Sequence, residues 1–179
     1  SNKLIKFSED DQLGGNEPYS TSKVCAELII KDFYLNKKLN DSTYGITVLR
    51  AGNVIGGGDW SANRLIPDIF KSWSKKERLN IRNPNHIRPW QHVLETTFAY
   101  LKAGFHAALN KDKEVFNIGP NDQSQISVKD IIKYAKTKIN LKEISYEEDE
   151  NIETAFLALA NTKIKNKLNV KPILGINDA

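Results

Sequence analysis

The four residues Ile46-Thr47-Val48-Leu49 constrain this chain most: they are apolar or β-branched without alternation, too short for a helix, and bounded by polar turns. A strand with no polar face needs cover on both sides, and the arrangement that gives this is a parallel sheet with helices on its two faces. Segments with helical period precede and follow the run. Val24, Leu28, Ile29 and Phe33 recur at helical spacing ahead of it, and Leu65, Ile66, Ile69, Phe70 and Trp73 do so after it, in a helix expected to begin near Pro67. The chain therefore reads as α/β.

The helix ahead of that strand begins in Pro18-Tyr19-Ser20-Thr21-Ser22-Lys23, with Asn16 as a plausible cap and Pro18 suited to the first turn, and it is expected to end by Asn40-Asp41. Its apolar face is expected to pack while the Tyr19 end stays open. Tyr19 and Lys23 are four residues apart and share one face. An ammonium beside a phenol favours the phenolate, the chemistry of a general base in an oxidoreductase-type site. Spacing alone does not single them out, because Tyr34 and Lys38, and Tyr134 and Lys138, repeat it. Those pairs stand among other lysines and read as solvated helix faces, whereas Tyr19 has the small hydroxylated neighbours Ser20, Thr21 and Ser22, which let a ligand approach.

After the strand come Arg50-Ala51-Gly52-Asn53 and Gly56-Gly57-Gly58-Asp59-Trp60. In open α/β sheets ligands bind beyond the carboxyl ends of strands, which places this loop at a site. Gly56, Gly58 and Ser61 nearly spell a dinucleotide fingerprint, but serine replaces its last glycine, and the loop reads as a substrate loop. Arg64 is either a surface arginine or, beside a helix start, part of an anion site.

Leu79-Asn80-Ile81 reads as a short strand, Arg82 to Pro89 as an exposed loop carrying Arg88, and Val93, Phe98 and Leu101 as part of a helix ending near Ala108. Val115-Phe116-Asn117-Ile118 is a further strand, stopped by Gly119-Pro120. Ser127 and Asp130 form a capping-box-like start for a helix with Ile131, Ile132, Ala135 and Ile139. Ile144-Ser145-Tyr146 reads as a strand, Asn161 as the cap of a short helix through Leu168, and a helix starts near Ile176.

Net charge is +4 with pI about 9.0, yet the lysines are interleaved with acids along helices, and no nucleic-acid partner is expected. No apolar run approaches a membrane span of about 20 residues, and Ser1-Asn2-Lys3 does not open a signal peptide, so a cytoplasmic protein without a membrane partner is expected. The single Cys25 is expected to be a small buried residue, and His86, His92 and His106 have no ligand spacing, so no metal site is expected. The absence of methionine suggests a piece of a longer protein.

Four runs together, Pro-Tyr-Ser-x-Ser-Lys from Pro18, Arg-Ala-Gly-Asn-Val-Ile-Gly-Gly-Gly-Asp-Trp from Arg50, Arg-Leu-Ile-Pro-Asp from Arg64 and Ile-Arg-Pro-Trp-Gln-His-Val-Leu-Glu from Ile87, resemble the extended short-chain dehydrogenase/reductase family, closely its sugar-nucleotide 4,6-dehydratases acting on CDP-glucose. The likeness covers nearly all of this chain but only the later half of a family member. It implies the later part of a doubly wound Rossmann-type parallel sheet, residues 1–55 and 88–119, interleaved with a smaller mixed α/β substrate-binding domain, residues 56–87 and 120–179. It implies bound NAD as an internal hydride shuttle, Tyr19 as the base at the 4-hydroxyl, and Lys23 holding the nicotinamide ribose. Asn53, Arg64 and Arg88 match positions that hold the nucleotide diphosphate, and Asn117 a position on the substrate side. The family's glycine turn and its upstream acid–base pair would precede Ser1, so the chain alone is expected to be inactive. Its His-Glu-Ala stretch stands here as Glu153-Thr154-Ala155 preceded by Ile152. A homodimer through the Tyr19 helix is the expected assembly.

Overall fold

The computed structural model describes residues 6–15, 17–35, 45–120, 125–147 and 154–179. Asn16, the end of the first helix near Asn40-Asp41, and Ile152-Glu153 lie outside them. Helix α1 spans Pro18–Leu35 and leads to β1 (Ile46–Ala51) and β2 (Asn53–Ile55); α2 (Leu65–Lys75), β3 (Leu79–Arg82), β4 (Ile87–His92) and α3 (Val93–Asn110) follow. Then come β5 (Lys113–Ile118), β6 (Gln125–Ser127), α4 (Val128–Lys138), β7 (Ile144–Glu147), α5 (Thr162–Leu168) and a single 3-10 turn at Ile176–Asp178. The α/β reading holds.

β1 pairs with β5 in parallel, from Ile46 opposite Lys113 to Ala51 opposite Ile118, and α3 packs on both strands. β2 and β4 are parallel, with Asn53 opposite Trp90, and β6 joins β4 antiparallel; β3 and β7 form a third, parallel pair. Two apolar clusters form. One gathers Ile69, Ile81, Trp90 and Ile132 under α2 and α4; the other gathers Ala99, Ala103 and Phe116 with Ile164, Leu168 and Val170, so that α5 packs back on β5.

Several expectations are corrected. Residues 87–89 are not an exposed loop but the start of β4, where Arg88 is only 7% exposed. The reason is that Asn53–Ile55 and Gln125–Ser127, both remote in sequence, close the strand on its two sides. Asn53 likewise belongs to a strand. Helix α2 starts at Leu65, with Arg64 at its cap position and Pro67 inside the first turn, where a missing N–H costs nothing. The apolar face of α1 does not pack among the described residues: Leu28, Ile29 and Phe33 are exposed, and so is Cys25. In α3 it is Ala99, Ala103 and Ala107 that are buried, since small side chains let the helix approach the sheet, while Val93, Phe98 and Leu101 face outward. Asn161 does stand at the start of α5, but its side chain caps nothing; its Nδ2 donates to the carbonyls of Gly119 and Pro120 at 2.9 and 3.2 Å. Ser127 behaves as expected and accepts from the Asp130 amide at 3.2 Å.

Candidate active site

The start of α1 is built from short local bonds. The amide of Thr21 donates to the Glu17 carbonyl at 3.0 Å, Ser20 Oγ donates to that same carbonyl at 3.1 Å, and Ser22 Oγ donates to the Tyr19 carbonyl at 2.6 Å. Each serine hydroxyl spends its proton on the helix, so what it offers a ligand is an acceptor. A shallow open depression beside them is lined by Gly15, Glu17, Pro18, Thr21, Ser22 and Cys25. Tyr19 is 63% exposed, and Lys23 Nζ lies 5.3 Å from the centre of its ring. Lys138 Nζ lies 5.5 Å from the Tyr134 ring, so the geometry of the pair does not separate the two sites; the side chain of Tyr34 lies outside the described residues.

The sheet carries a residue that the sequence reading passed over. Arg50 on β1 grips Glu27 of α1 in a fork, Nε to Oε2 at 3.0 Å and Nη2 to Oε1 at 2.5 Å, while Nη1 reaches the Glu9 carbonyl at 3.1 Å. An arginine at the end of an apolar strand and a glutamate eight residues after Tyr19 were the available signals; only the fold brings them together.

Three other candidates converge at the step from one sheet to the next. The amide of Gly52 donates to the Ile118 carbonyl at 3.2 Å, and its α-carbon presses on Pro89. Asn53, Arg88 and Asn117 are the chain neighbours of these three residues, so their backbones meet at one junction. Arg88 Nη1 donates to the Ile87 carbonyl at 2.9 Å, and Nη2 lies 3.0 Å from His86 Nδ1. Asn117 is fully buried: its backbone N–H donates to Glu9 Oε1 at 2.7 Å, and its Nδ2 donates to the Phe7 carbonyl at 2.9 Å. Its Oδ1 meets no donor among the described residues.

Arg64 is carried separately, exposed at the start of α2. The preceding loop holds Asp59, whose carboxyl is drawn below the ordinary carboxylate range first by hydrogen bonds from Ser61 and then by the charges of Arg64 and Lys71. Among the described residues no three His, Cys, Asp or Glu side chains gather as a metal site, and no helix is long and apolar enough to cross a membrane.

Fold and site define a Rossmann-type α/β protein that presents a tyrosine–lysine pair at an open helix start. The chain belongs to the NAD dependent epimerase/dehydratase family, whose pattern matches residues 2–119. It is 43% identical over 133 residues to the CDP-glucose 4,6-dehydratase of Salmonella typhimurium, a match covering 70% of this chain and 37% of that protein. An uncharacterized protein of Schizosaccharomyces pombe is 26% identical over 187 residues, covering 88% and 50%. The dTDP-glucose 4,6-dehydratase of Bacillus anthracis, solved in complex with NAD, superposes with a TM-score of 0.81 at 23% identity over 99% of this chain and 54% of that one. The UDP-glucose 4-epimerase of Thermotoga maritima, solved with UDP-glucose, gives 0.81 at 24% identity over 99% and 55%. The chain thus spans 37% to 50% of the length of the curated relatives it matches.

Proposed function

We propose that this chain forms the later half of an NAD-dependent dehydratase that converts CDP-glucose to CDP-4-keto-6-deoxyglucose. The observation that carries the reading is the 43% identity to a CDP-glucose 4,6-dehydratase across 70% of the chain. The residues present fit one end of the cofactor, because an exposed phenol and an ammonium on one helix face suit the hydroxyl-rich ribose of a dinucleotide. NAD, when bound, supplies a hydride acceptor at sugar C4 and the donor that returns the hydride to C6 after water is lost across C5 and C6.

The chain's own part is proton transfer and binding. Tyr19 takes the proton of the 4-hydroxyl, and Lys23, whose ammonium lies over the Tyr19 ring, holds the ribose. Arg64 and Arg88 meet the diphosphate, where a guanidinium offers paired donors. Asn53 joins them at the diphosphate, and Asn117 stands on the substrate side, its buried Oδ1 meeting no donor among the described residues. The division we propose is interleaved, with residues 1–55 and 88–119 in the NAD domain and 56–87 and 120–179 in the substrate domain, and both apolar clusters cross it: Ile55 and Trp90 pack with Ile69, Ile81 and Ile132, and Ile164 to Val170 with Phe116. The exposed Leu28, Ile29 and Phe33 of α1 support a homodimer through that helix, and the cytoplasm is the location we propose for it.

Product analysis tests the reading. The chain, joined to the preceding half that its relatives carry, should convert CDP-glucose in preference to dTDP-glucose and UDP-glucose and yield a product lacking the 6-hydroxyl. Preference for another base moves the chain to a different nucleotide-sugar dehydratase, and a product that keeps the 6-hydroxyl makes it an epimerase. The like geometry of Tyr134 and Lys138 keeps a non-catalytic binding module as the second reading, favoured if turnover is absent with every sugar nucleotide.

A further inference from the structure

Tyr19, Lys23 and Glu27 stand at successive steps of four along α1 and share one face of the helix. A lysine and a glutamate at this spacing are within reach of each other, even in this order, with the lysine nearer the helix start. Here, among the described residues, Lys23 makes no ion pair: its ammonium lies 5.3 Å from the Tyr19 ring centre, and both oxygens of Glu27 are held by Arg50. The fork is half sheltered, with the Arg50 and Glu27 side chains 21% and 15% exposed, so it outcompetes the solvated ammonium for the carboxylate. Arg50 in turn is fixed by its strand, where it lies opposite Asn117, and by its third bond to the Glu9 carbonyl.

We infer that Arg50 is a positioning residue for the tyrosine–lysine pair: by holding Glu27 in a bidentate fork it withholds that carboxylate from Lys23 and leaves the ammonium to Tyr19 and the ligand. This rests on the reading of Tyr19 and Lys23 as the working pair. A lysine at position 50 would keep the charge but could not occupy both carboxylate oxygens, which is why the guanidinium matters.

The test uses lysine-labelled protein and reads the ring-current shift that Tyr19 imposes on the Lys23 side chain by nuclear magnetic resonance, which needs no turnover. Arg50→Gln should lose most of that shift as Lys23 swings to the freed Glu27, and the double variant Arg50→Gln/Glu27→Gln should regain it. The amide signals of Val115 to Ile118 report whether the fold is kept; if Arg50→Gln does not fold, Arg50→Lys and its Glu27→Gln double are read in the same way. A shift retained in the single variant overturns the inference. So does a shift lost equally in single and double, which would mean that Arg50 only seats the helix. In the protein completed with the preceding half, kcat should fall by up to about 10²-fold in Arg50→Gln with KM little changed, the usual cost of a misplaced group, and return in the double. If the shifts behave as expected while Tyr19→Phe leaves turnover intact, the catalytic reading fails and the role of Arg50 stands.

Discussion

The α-carbon of Gly52 lies against Pro89: a Cβ on Gly52 would come within 2.5 Å of the Pro89 carbonyl oxygen and 2.7 Å of its Cγ. This approach lets the chain step from β1, paired to β5, into β2, paired to β4, and so sets the junction that Asn53, Arg88 and Asn117 flank. Neither obstacle can swing aside, since one is backbone and the other a ring. Gly52→Ala should therefore cost about 1 to 3 kcal/mol of stability, the usual range for overpacking. Gly57→Ala is the control, with nothing within 4 Å of its added methyl. Thermal unfolding of the two variants should separate them clearly.

Tyr19 and Tyr134 differ by only 0.2 Å in the reach of their lysines, 5.3 against 5.5 Å, which makes them a matched pair. In the completed protein, Tyr19→Phe should lose about 10²- to 10⁴-fold of turnover with CDP-glucose, as removal of a general base does, while still binding the sugar nucleotide. Tyr134→Phe should stay near the parent, and so should Tyr34→Phe. Steady-state rates on the three variants decide it; equal rates would remove the base from the mechanism.

Arg88 is buried in β4, so two effects should appear together on Arg88→Ala. Loss of its charge-assisted bonds to the Ile87 carbonyl and His86 should lower stability by about 1.5 to 3 kcal/mol. Loss of a diphosphate contact of similar strength should raise KM for CDP-glucose by about ten- to a hundredfold. Denaturant melts and KM are read on the same variant. An unchanged KM would leave Arg88 a structural role alone.

Asn161 separates position from chemistry. Aspartate caps a helix start as well as asparagine does, so Asn161→Asp would be harmless if capping were its task. Its Nδ2 instead donates to the Gly119 and Pro120 carbonyls in a buried setting, and a carboxylate cannot donate. Asn161→Asp should destabilise by about 1 to 3 kcal/mol, as should Asn161→Ala, in equilibrium unfolding at neutral pH.

Asp130 is held below the ordinary carboxylate range, first by its hydrogen bond with Ser127 and then by Lys133. A depressed folded pKa contributes stability that is fully present above the unfolded value and lost as pH falls through the folded one. Ser127→Ala should cost about 0.5 to 2 kcal/mol at neutral pH. The gap between variant and parent should narrow below the ordinary value of 3.8, as Asp130 takes up its proton. Melting curves across the acid range check both the size and the sign.

The α/β class, the strands around Val48, Ile81, Phe116 and Ser145, and the helix starts at Pro18 and Ser127 were legible in the order of residues. These follow from apolar period, proline and short capping side chains, all of which act within a few residues. The motif runs are read there too, Tyr19 and Lys23 among them. Features whose partners are far away along the chain were not legible in this way. Strand β4 looked like a loop because Asn53–Ile55 and Gln125–Ser127, which close it, are more than 30 residues distant on either side. The apolar face of α1 was visible, but whether it packs depends on what lies opposite it, and among the described residues its leading members are exposed. Arg50 and Glu27 are 23 residues apart, and the fork between them exists only because β1 and α1 are seated side by side. Local pattern selects an element; which side chains an element buries, and which charges it pairs, is set by distances that only the folded chain fixes.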